Sequence, residues 1–439
     1  MRIAVVILNW NTEGFLRKFL PGLVRSVQAV PGAEVIVADN ASDDGSINVM
    51  REVFPGVRTI IFEKNLGFTG GYNEAFHRIV DMAPEGDAPE YFVLINSDIE
   101  VPTGWLEPLV EWMDSHPGCG ACAPKLHSYQ QREMFEYAGA AGGFIDKYGY
   151  PFCRGRILKK LERDMGQYDS PAEVFWATGA CLMVRSGLWK RLGGLDSRFF
   201  AHMEEIDLCW RMKLEGYSVN VVPSSMVWHV GGGTLPASSP MKLFLNYRNN
   251  LLMLSNNLPK HYGVEEFRKG QGRGATQAAR RGIRRARRRI FERMVLDGMS
   301  ALVYLLTFKW SCFKAVIRAH NEYRRLKSQA DATQVADYLL ENGEKANLSG
   351  IYPHWIIPRA ILHPSDVKRT SPDPQINTRI KHNIYTTDTQ HIKHHPKRCE
   401  TSDEPPRTQQ SEVKQATNTT KQKRCETSDS TTHAPNKAK

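Results

Sequence analysis

Ile3-Ala4-Val5-Val6-Ile7-Leu8-Asn9-Trp10-Asn11 carries six apolar residues straight into a polar turn. An unbroken apolar run of that length is expected of a strand buried on both faces of a sheet. Thr12 is then the natural N-cap of a helix, in which Phe15, Leu16, Phe19, Leu20, Leu23, Val24 and Val27 recur at helical spacing. The alternation continues downstream. Residues 34–38 read as a second buried strand ending at Asp39, and 57–62 as a third. Residues 69–82 read as a helix, and 91–95 as a fourth strand ending at Asn96-Ser97-Asp98. Strands alternating with helices imply right-handed crossovers and a mainly parallel sheet, an α/β fold.

Polar residues gather where these strands stop: Asn9 and Asn11, Asp39 and Asn40, Asn96 and Asp98. Open α/β sheets bind ligands at the carboxyl ends of their strands, so one polar crevice is expected there. Further along, 174–184 is strand-like, 219–222 and 226–228 are short strands around Pro223, and 243–258 is helical. Residues 103–170 show no clear period.

The 439 residues carry a formal charge of +11, which suits an anionic partner. Eight irregularly spaced cysteines make no disulfide framework and fit a reducing compartment. Cys119-Gly120-Ala121-Cys122 lacks a second pair at metal-ligand spacing, so buried structural thiols are expected. The 3–8 run is too short for an export signal, and no stretch is apolar enough to span a membrane.

Composition changes near Lys260. Arg268 to Arg293 holds eleven Arg or Lys and one acid, Glu292, and apolar segments follow over 294–317. Beyond Thr370 the chain is polar and repeats Lys-Arg-Cys-Glu-Thr-Ser-Asp at 397–403 and 423–429. These shifts divide the chain into 1–258, a basic amphipathic helical extension over 259–330, and a low-complexity, disordered tail over 331–439.

Four constellations carry chemistry. Asp98 at a strand end suits a Mg²⁺ or Mn²⁺ ion held against a diphosphate, and equally suits an acidic turn. Glu204, Glu205 and Asp207 crowd beside apolar residues, which raises carboxyl pKa values and suits a general base; a helix N-terminus collects acids too. His229 precedes three glycines and either completes a metal site or is structural. Asn65-Leu66-Gly67-Phe68-Thr69-Gly70-Gly71-Tyr72-Asn73 is a Gly-rich turn into a helix, fit for phosphate or ribose approach or for tight packing.

In this order the segments 5–11, 37–46, 65–71, 94–98, 177–184, 199–211 and 228–232 resemble family 2 glycosyltransferases with the GT-A fold, in the rhamnosyltransferase-like branch. The resemblance covers about half the chain and extends weakly through Asn246-Tyr247-Arg248-Asn249-Asn250. It implies that Asn9, Asn11, Asp39 and Asn40 line the nucleoside, and that Asn65, Gly67, Gly70, Gly71 and Asn73 shape the donor pocket. Asp98 looks like the metal carboxylate of a DxD motif whose first position is Asn96 here. Glu205 matches the acceptor-activating base, with Glu204 and Asp207 as neighbours in that role. His229 matches a metal or diphosphate contact, and Arg248 adds positive charge. The implied activity is inverting transfer of a sugar from dTDP-rhamnose or a UDP-sugar to a glycan or lipid-linked acceptor.

The rival readings are an inactive nucleotide-sugar-binding scaffold and a sugar nucleotidyltransferase. The latter lacks the basic Gly-rich loop it would need after the first strand. The basic extension points to an anionic membrane surface ahead of nucleic acid or a merely solvated helix. The location expected is the cytoplasm, extending to the cytoplasmic face of the inner membrane.

Overall fold

The computed structural model describes residues 1–157, 160–231, 239–272 and 274–358. The first half alternates as its periods require. In order come β1 (Ile3–Asn9), α1 (Glu13–Gln28), β2 (Ala33–Asp39), α2 (Ser46–Glu52), β3 (Arg58–Ile61), α3 (Gly67–Asp81), β4 (Tyr91–Ile95), the short β5 (Ile99–Glu100), α4 (Glu107–Ser115) and β6 (Cys119–Ser128). The middle of the chain, without a readable period, makes β7 (Gly143–Asp146), β8 (Pro151–Cys153), β9 (Arg156–Ile157), β10 (Lys160–Leu161) and β11 (Ala172–Val174). Then follow β12 (Cys181–Arg185), α5 (Ser186–Leu192), α6 (Glu204–Leu214), β13 (Ser218–His229), α7 (Pro240–Lys269), α8 (Ala275–Leu306), α9 (Trp310–Leu326), α10 (Ala332–Asn342) and β14 (Ile351–Tyr352).

The main sheet runs β11-β13-β6-β12-β4-β1-β2-β3, with β5 paired to β13. Strands β3, β2, β1 and β4 run parallel to one another. The expectation of a mainly parallel sheet holds, with β6 and β13 forming a further parallel pair and three strands reversed. β12 enters antiparallel between β4 and β6, and β11 and β5 are antiparallel to β13. Because β12 reverses twice, β6 and its parallel partner β13 point the same way as β1 and β4. Six strand ends therefore open on one edge.

Alternate residues of β1 feed opposite cores. Ala4 and Val6 pack with Phe76, Phe92 and Trp210 on one face, and Ile3, Val5 and Ile7 pack with Leu16, Leu20 and Leu109 on the other. Two covered faces explain why the strand needs an unbroken apolar run. The two strands expected around Pro223 are one strand, β13, with an irregularity between Val221 and Met226.

Two boundaries move. Helix α7 runs unbroken through 258, so the basic region is no appended unit. Ala278, Ala279, Ile283, Ala286 and Ile290 of α8 join the same core as Ala4 and Val6. The helices meet backbone to backbone: a Cβ on Gly282 would stand 2.5 Å from the Gly263 nitrogen. The low-complexity reading also began too early. Within 331–358, α10 buries Val335, Ala336 and Leu339, the Tyr338 hydroxyl donates to the Leu214 carbonyl at 2.6 Å, and β14 joins the small sheet β10-β9-β8-β7-β14. The eleven residues of α10 carry their apolar period at the head of a long polar stretch. Residues 359–439, with the rest of that expectation, and Gly232 and Gly233 lie outside the described residues.

Candidate active site

The edge of converging strand ends is polar, as the pattern of strand termini required. Asn9, at the end of β1, is buried, and its amide donates to Asp39 Oδ2 at 2.7 Å and to Ser42 Oγ at 3.1 Å. Asp39 Oδ1 accepts from the Ser42 N–H at 2.9 Å. Asn11 sits at φ 54° and interlocks with Asp43, donating to its carboxylate at 2.5 Å and accepting from its N–H at 2.9 Å. Asn40 donates to Asn65 Oδ1 at 3.0 Å and to the Gly67 carbonyl at 3.1 Å. These residues build one preorganised rim from the ends of β1 and β2.

Gly67 opens α3 at φ 71°, and a Cβ there would lie 2.4 Å from the Phe200 ring. The N–H of Phe68 donates to the Phe200 carbonyl at 2.8 Å. The Gly-rich turn is thus fitted to the segment before α6. Gly70 and Gly71 serve packing: a Cβ on Gly71 would meet the Leu8 side chain at 2.6 Å, and one on Gly70 the Leu66 Cβ at 3.0 Å. The resemblance implied Asn73 at the donor pocket. Its amide is spent on Leu195, donating to the carbonyl at 2.7 Å and accepting from the N–H at 2.9 Å.

At the next strand ends a carboxylate meets an imidazole. Asp98 Oδ1 lies 3.1 Å from His229 Nε2, and Asp98 Oδ2 accepts from the Gly231 N–H at 3.1 Å. Asn96 Nδ2 comes within 3.4 Å of the same ring nitrogen. On the other side of the ring, His229 Nδ1 faces Glu136 Oε1 at 3.5 Å. Burial alone would lift Asp98, but the hydrogen bond and charge of His229 outweigh it and hold the carboxyl below its ordinary range. Burial likewise opposes the charged imidazole, yet Asp98 and Glu136 raise His229 to about 10. Glu136 was not foreseen. It comes from an irregular stretch and reaches His229 only because β6 pairs with β13, setting Ser128 opposite His229.

The acidic segment separates into three roles. Asp207 is fully buried and committed: Oδ2 accepts from Arg211 Nε at 2.7 Å, and Oδ1 from Asn257 at 2.8 Å and Asn256 at 3.1 Å. It braces α6 and is removed from the candidate bases. Glu204 and Glu205 each bury a carboxylate oxygen without a hydrogen-bond partner among the described residues. Burial pushes Glu205 up to about 7. Burial, then the Glu205 charge, drives Glu204 well above the carboxylate range. A carboxylate poised near neutrality is the better general base. Glu205 also stands where the chemistry converges. A Cβ on Gly179 would lie 3.6 Å from Glu205 Cβ, while the next residue, Ala180, accepts from the Asn96 N–H at 2.9 Å.

The turn that presents Glu205 is strained. Phe200, His202 and Met203 have φ of 64°, 71° and 74°, a region non-glycine residues seldom occupy. Such strain persists only where the surroundings over-determine it, and it clusters at functional sites. Here the clamp is Asn249, whose amide donates to the carbonyls of Phe199, Ala201 and His202 at 2.9, 2.7 and 2.7 Å. Arg248 assists, donating to the carbonyls of Arg198 and Phe199 at 3.1 and 2.8 Å. The resemblance put Arg248 at the diphosphate; its guanidinium is used on this backbone instead.

The CxxC thiols are buried, and burial raises the pKa of both Cys119 and Cys122. They are core residues, as expected.

Residues 4–180 match the model of Glycosyl transferase family 2. Over this stretch the chain is similar to family 2 glycosyltransferases. The matched stretch supplies β1 to β4 and β6 of the sheet, and β12 enters it reversed between β4 and β6. The glycosyltransferase is 27% identical over 237 residues to N-acetylglucosaminyl-diphospho-decaprenol L-rhamnosyltransferase of Mycobacterium tuberculosis, covering 52% of this chain and 75% of that relative. It is 22% identical over 234 residues to Rhamnosyltransferase WbbL of Escherichia coli, covering 52% and 83%. Among solved structures, mannosyltransferase PcManGT from Pyrobaculum calidifontis in complex with GDP-Man and Mn²⁺ is 14% identical, covering 74% of this chain and 88% of that one, with a TM-score of 0.42. Glu204, Glu205 and His229 of the glycosyltransferase lie beyond the matched stretch.

Proposed function

We propose that this glycosyltransferase carries out an inverting transfer of a sugar from a nucleoside-diphosphate donor to a hydroxyl of a glycan or lipid-linked acceptor. The observation that carries the reading is Glu205: a carboxylate with an unpartnered buried oxygen, poised at about 7, presented by a clamped turn beside the Asp98 edge. Glu205 takes the proton from the acceptor hydroxyl as its oxygen attacks the anomeric carbon. The nucleoside diphosphate leaves from the opposite face of the sugar.

The rim of Asn9, Asn11, Asp39 and Asn40 is proposed to receive the nucleoside, with the turn at Asn65 and Gly67 closing the pocket. Asp98 would hold a divalent cation, and His229, charged as it stands between Asp98 and Glu136, would meet the diphosphate directly or join the ion once deprotonated. Among the described residues no three His, Cys, Asp or Glu side chains are grouped to hold an ion unaided. A hard cation at Asp98 would be completed by substrate phosphates. When bound, Mg²⁺ or Mn²⁺ supplies positive charge to the departing diphosphate. The relatives named for rhamnosyl transfer make dTDP-rhamnose the first donor to try and UDP-sugars the second.

The test is release of nucleoside diphosphate from a panel of nucleotide sugars by the purified chain, alongside Glu205→Gln. Release from one donor, abolished by the substitution, supports the transferase. A folded protein that turns over none of them, with glycan acceptors present, favours an inactive scaffold.

A further inference from the structure

We propose that the corner between α8 and α9 is a docking face for an anionic lipid bilayer. The exposed side of α8 forms one stripe with two chemistries. Arg280, Arg284, Arg287 and Arg288 occupy its first half, all exposed. Phe291, Val295, Met299, Leu302 and Leu306 continue the same side at steps of three and four, exposed by 67, 48, 58, 52 and 68%. The turn adds Phe308 at 80% and Trp310 at 54%, next to exposed Lys309 and Lys314. Isolated exposed apolar residues are ordinary, but a contiguous patch of this kind marks an interaction surface.

Charge decides the occupant. An apolar stripe continued by arginines is the pattern of a helix lying in the plane of a bilayer, apolar residues among the acyl chains and cations at anionic headgroups. A second copy of the chain would bring like charges together. Spanning is not the mode, since no helix among the described residues is long and apolar enough to cross a membrane. The inner side of the corner touches the catalytic loop. Ala315 and Ala319 of α9 pack on Phe244 and Leu245 of α7, with Ala201 against the same cluster, a few residues from Asn249 and Glu205. A bilayer on the outer side would therefore hold a lipid-linked acceptor close to the base. That consequence rests on the proposed function; the docking itself does not.

The experiment is flotation of the full chain with vesicles of phosphatidylcholine alone or mixed with phosphatidylglycerol. It uses the wild type, an apolar variant (Leu302→Glu, Leu306→Glu, Phe308→Glu) and a charge variant (Arg280→Glu, Arg284→Glu, Arg287→Glu). We expect the wild type to float with the anionic vesicles and poorly with neutral ones. Both variants should be left behind, the charge variant partitioning about a hundredfold or more less at low salt. If the apolar variant melts below the wild type, the charge variant decides alone, because its side chains are exposed. The proposal is overturned if the wild type does not float or if the charge variant floats equally. It is also overturned if the apolar variant merely converts a dimer to a monomer on size exclusion, or if the wild type binds RNA and ignores vesicles.

Discussion

Asn249 donates its side-chain amide to the carbonyl of His202 at 2.7 Å, across 47 residues of chain. With the bonds to Phe199 and Ala201, one amide on α7 holds the left-handed turn that aims Glu205. Asn249→Ala should leave the donor rim intact while freeing that turn. We expect kcat to fall at least tenfold with donor KM nearly unchanged, and stability to fall by about 1–3 kcal/mol. Hydrogen exchange over residues 199–205 should quicken. An unchanged kcat would remove the clamp from the account.

Glu205 gives a pH prediction with a definite sign. As a base it works ionised, so kcat should climb as pH rises through about 7 and level off above it. Its stability effect runs the other way. The folded pKa lies above the unfolded one, so the folded chain binds the proton more tightly and stability falls as pH rises from about 4.5 to about 7. Glu205→Gln should lower kcat about a hundredfold or more. It should also melt higher than the wild type at pH 8, by an amount on the order of 1–3 kcal/mol. Melting below the wild type at pH 8 would mean that the ionised carboxylate is stabilising.

Asp207→Ala separates bracing from catalysis. It strips Arg211 of a buried partner and leaves Asn256 and Asn257 donors unmet, so a loss of about 3–5 kcal/mol is expected in denaturant melts. Molecules still folded in the cold should keep turnover within a few-fold of wild type. A stable but inactive Asp207→Ala would return this carboxylate to the chemistry.

What the sequence made legible followed from short periods. The runs 3–8 and 91–95 have one readable environment, a covered sheet, and the polar residues that end them must share its edge. Asp98, His229 and the rim at Asn9 and Asp39 were therefore in reach. Residues whose place depends on distant pairing were not. Glu136 is brought to His229 by β-strand register, and Asn249 looks like any polar residue in an apolar helix until the turn beneath it is seen. Asn73, Asp207 and Arg248 carry suitable chemistry in suitable segments, yet tertiary hydrogen bonds use it up. The small sheet escaped because its strands are two to four residues long.

The contact of Gly282 with Gly263 makes the basic helix part of the catalytic unit. Gly282→Ala would force the α7 and α8 backbones apart and should cost about 1–3 kcal/mol. One melting transition should shift as a whole in calorimetry. Two separate transitions, with only one displaced, would restore the basic region as an independent appendage.

The claim on which the rest depends is that Asp98 and His229 mark the diphosphate end of a nucleotide-sugar site. Calorimetric titration of dTDP-rhamnose and UDP-sugars into the purified chain, with and without Mn²⁺, tests it when repeated on Asp98→Asn. We expect one nucleotide sugar to bind the wild type with the ion present, and binding at least tenfold weaker both without the ion and in Asp98→Asn. Equal affinity in Asp98→Asn, or affinity indifferent to the ion, would contradict the claim.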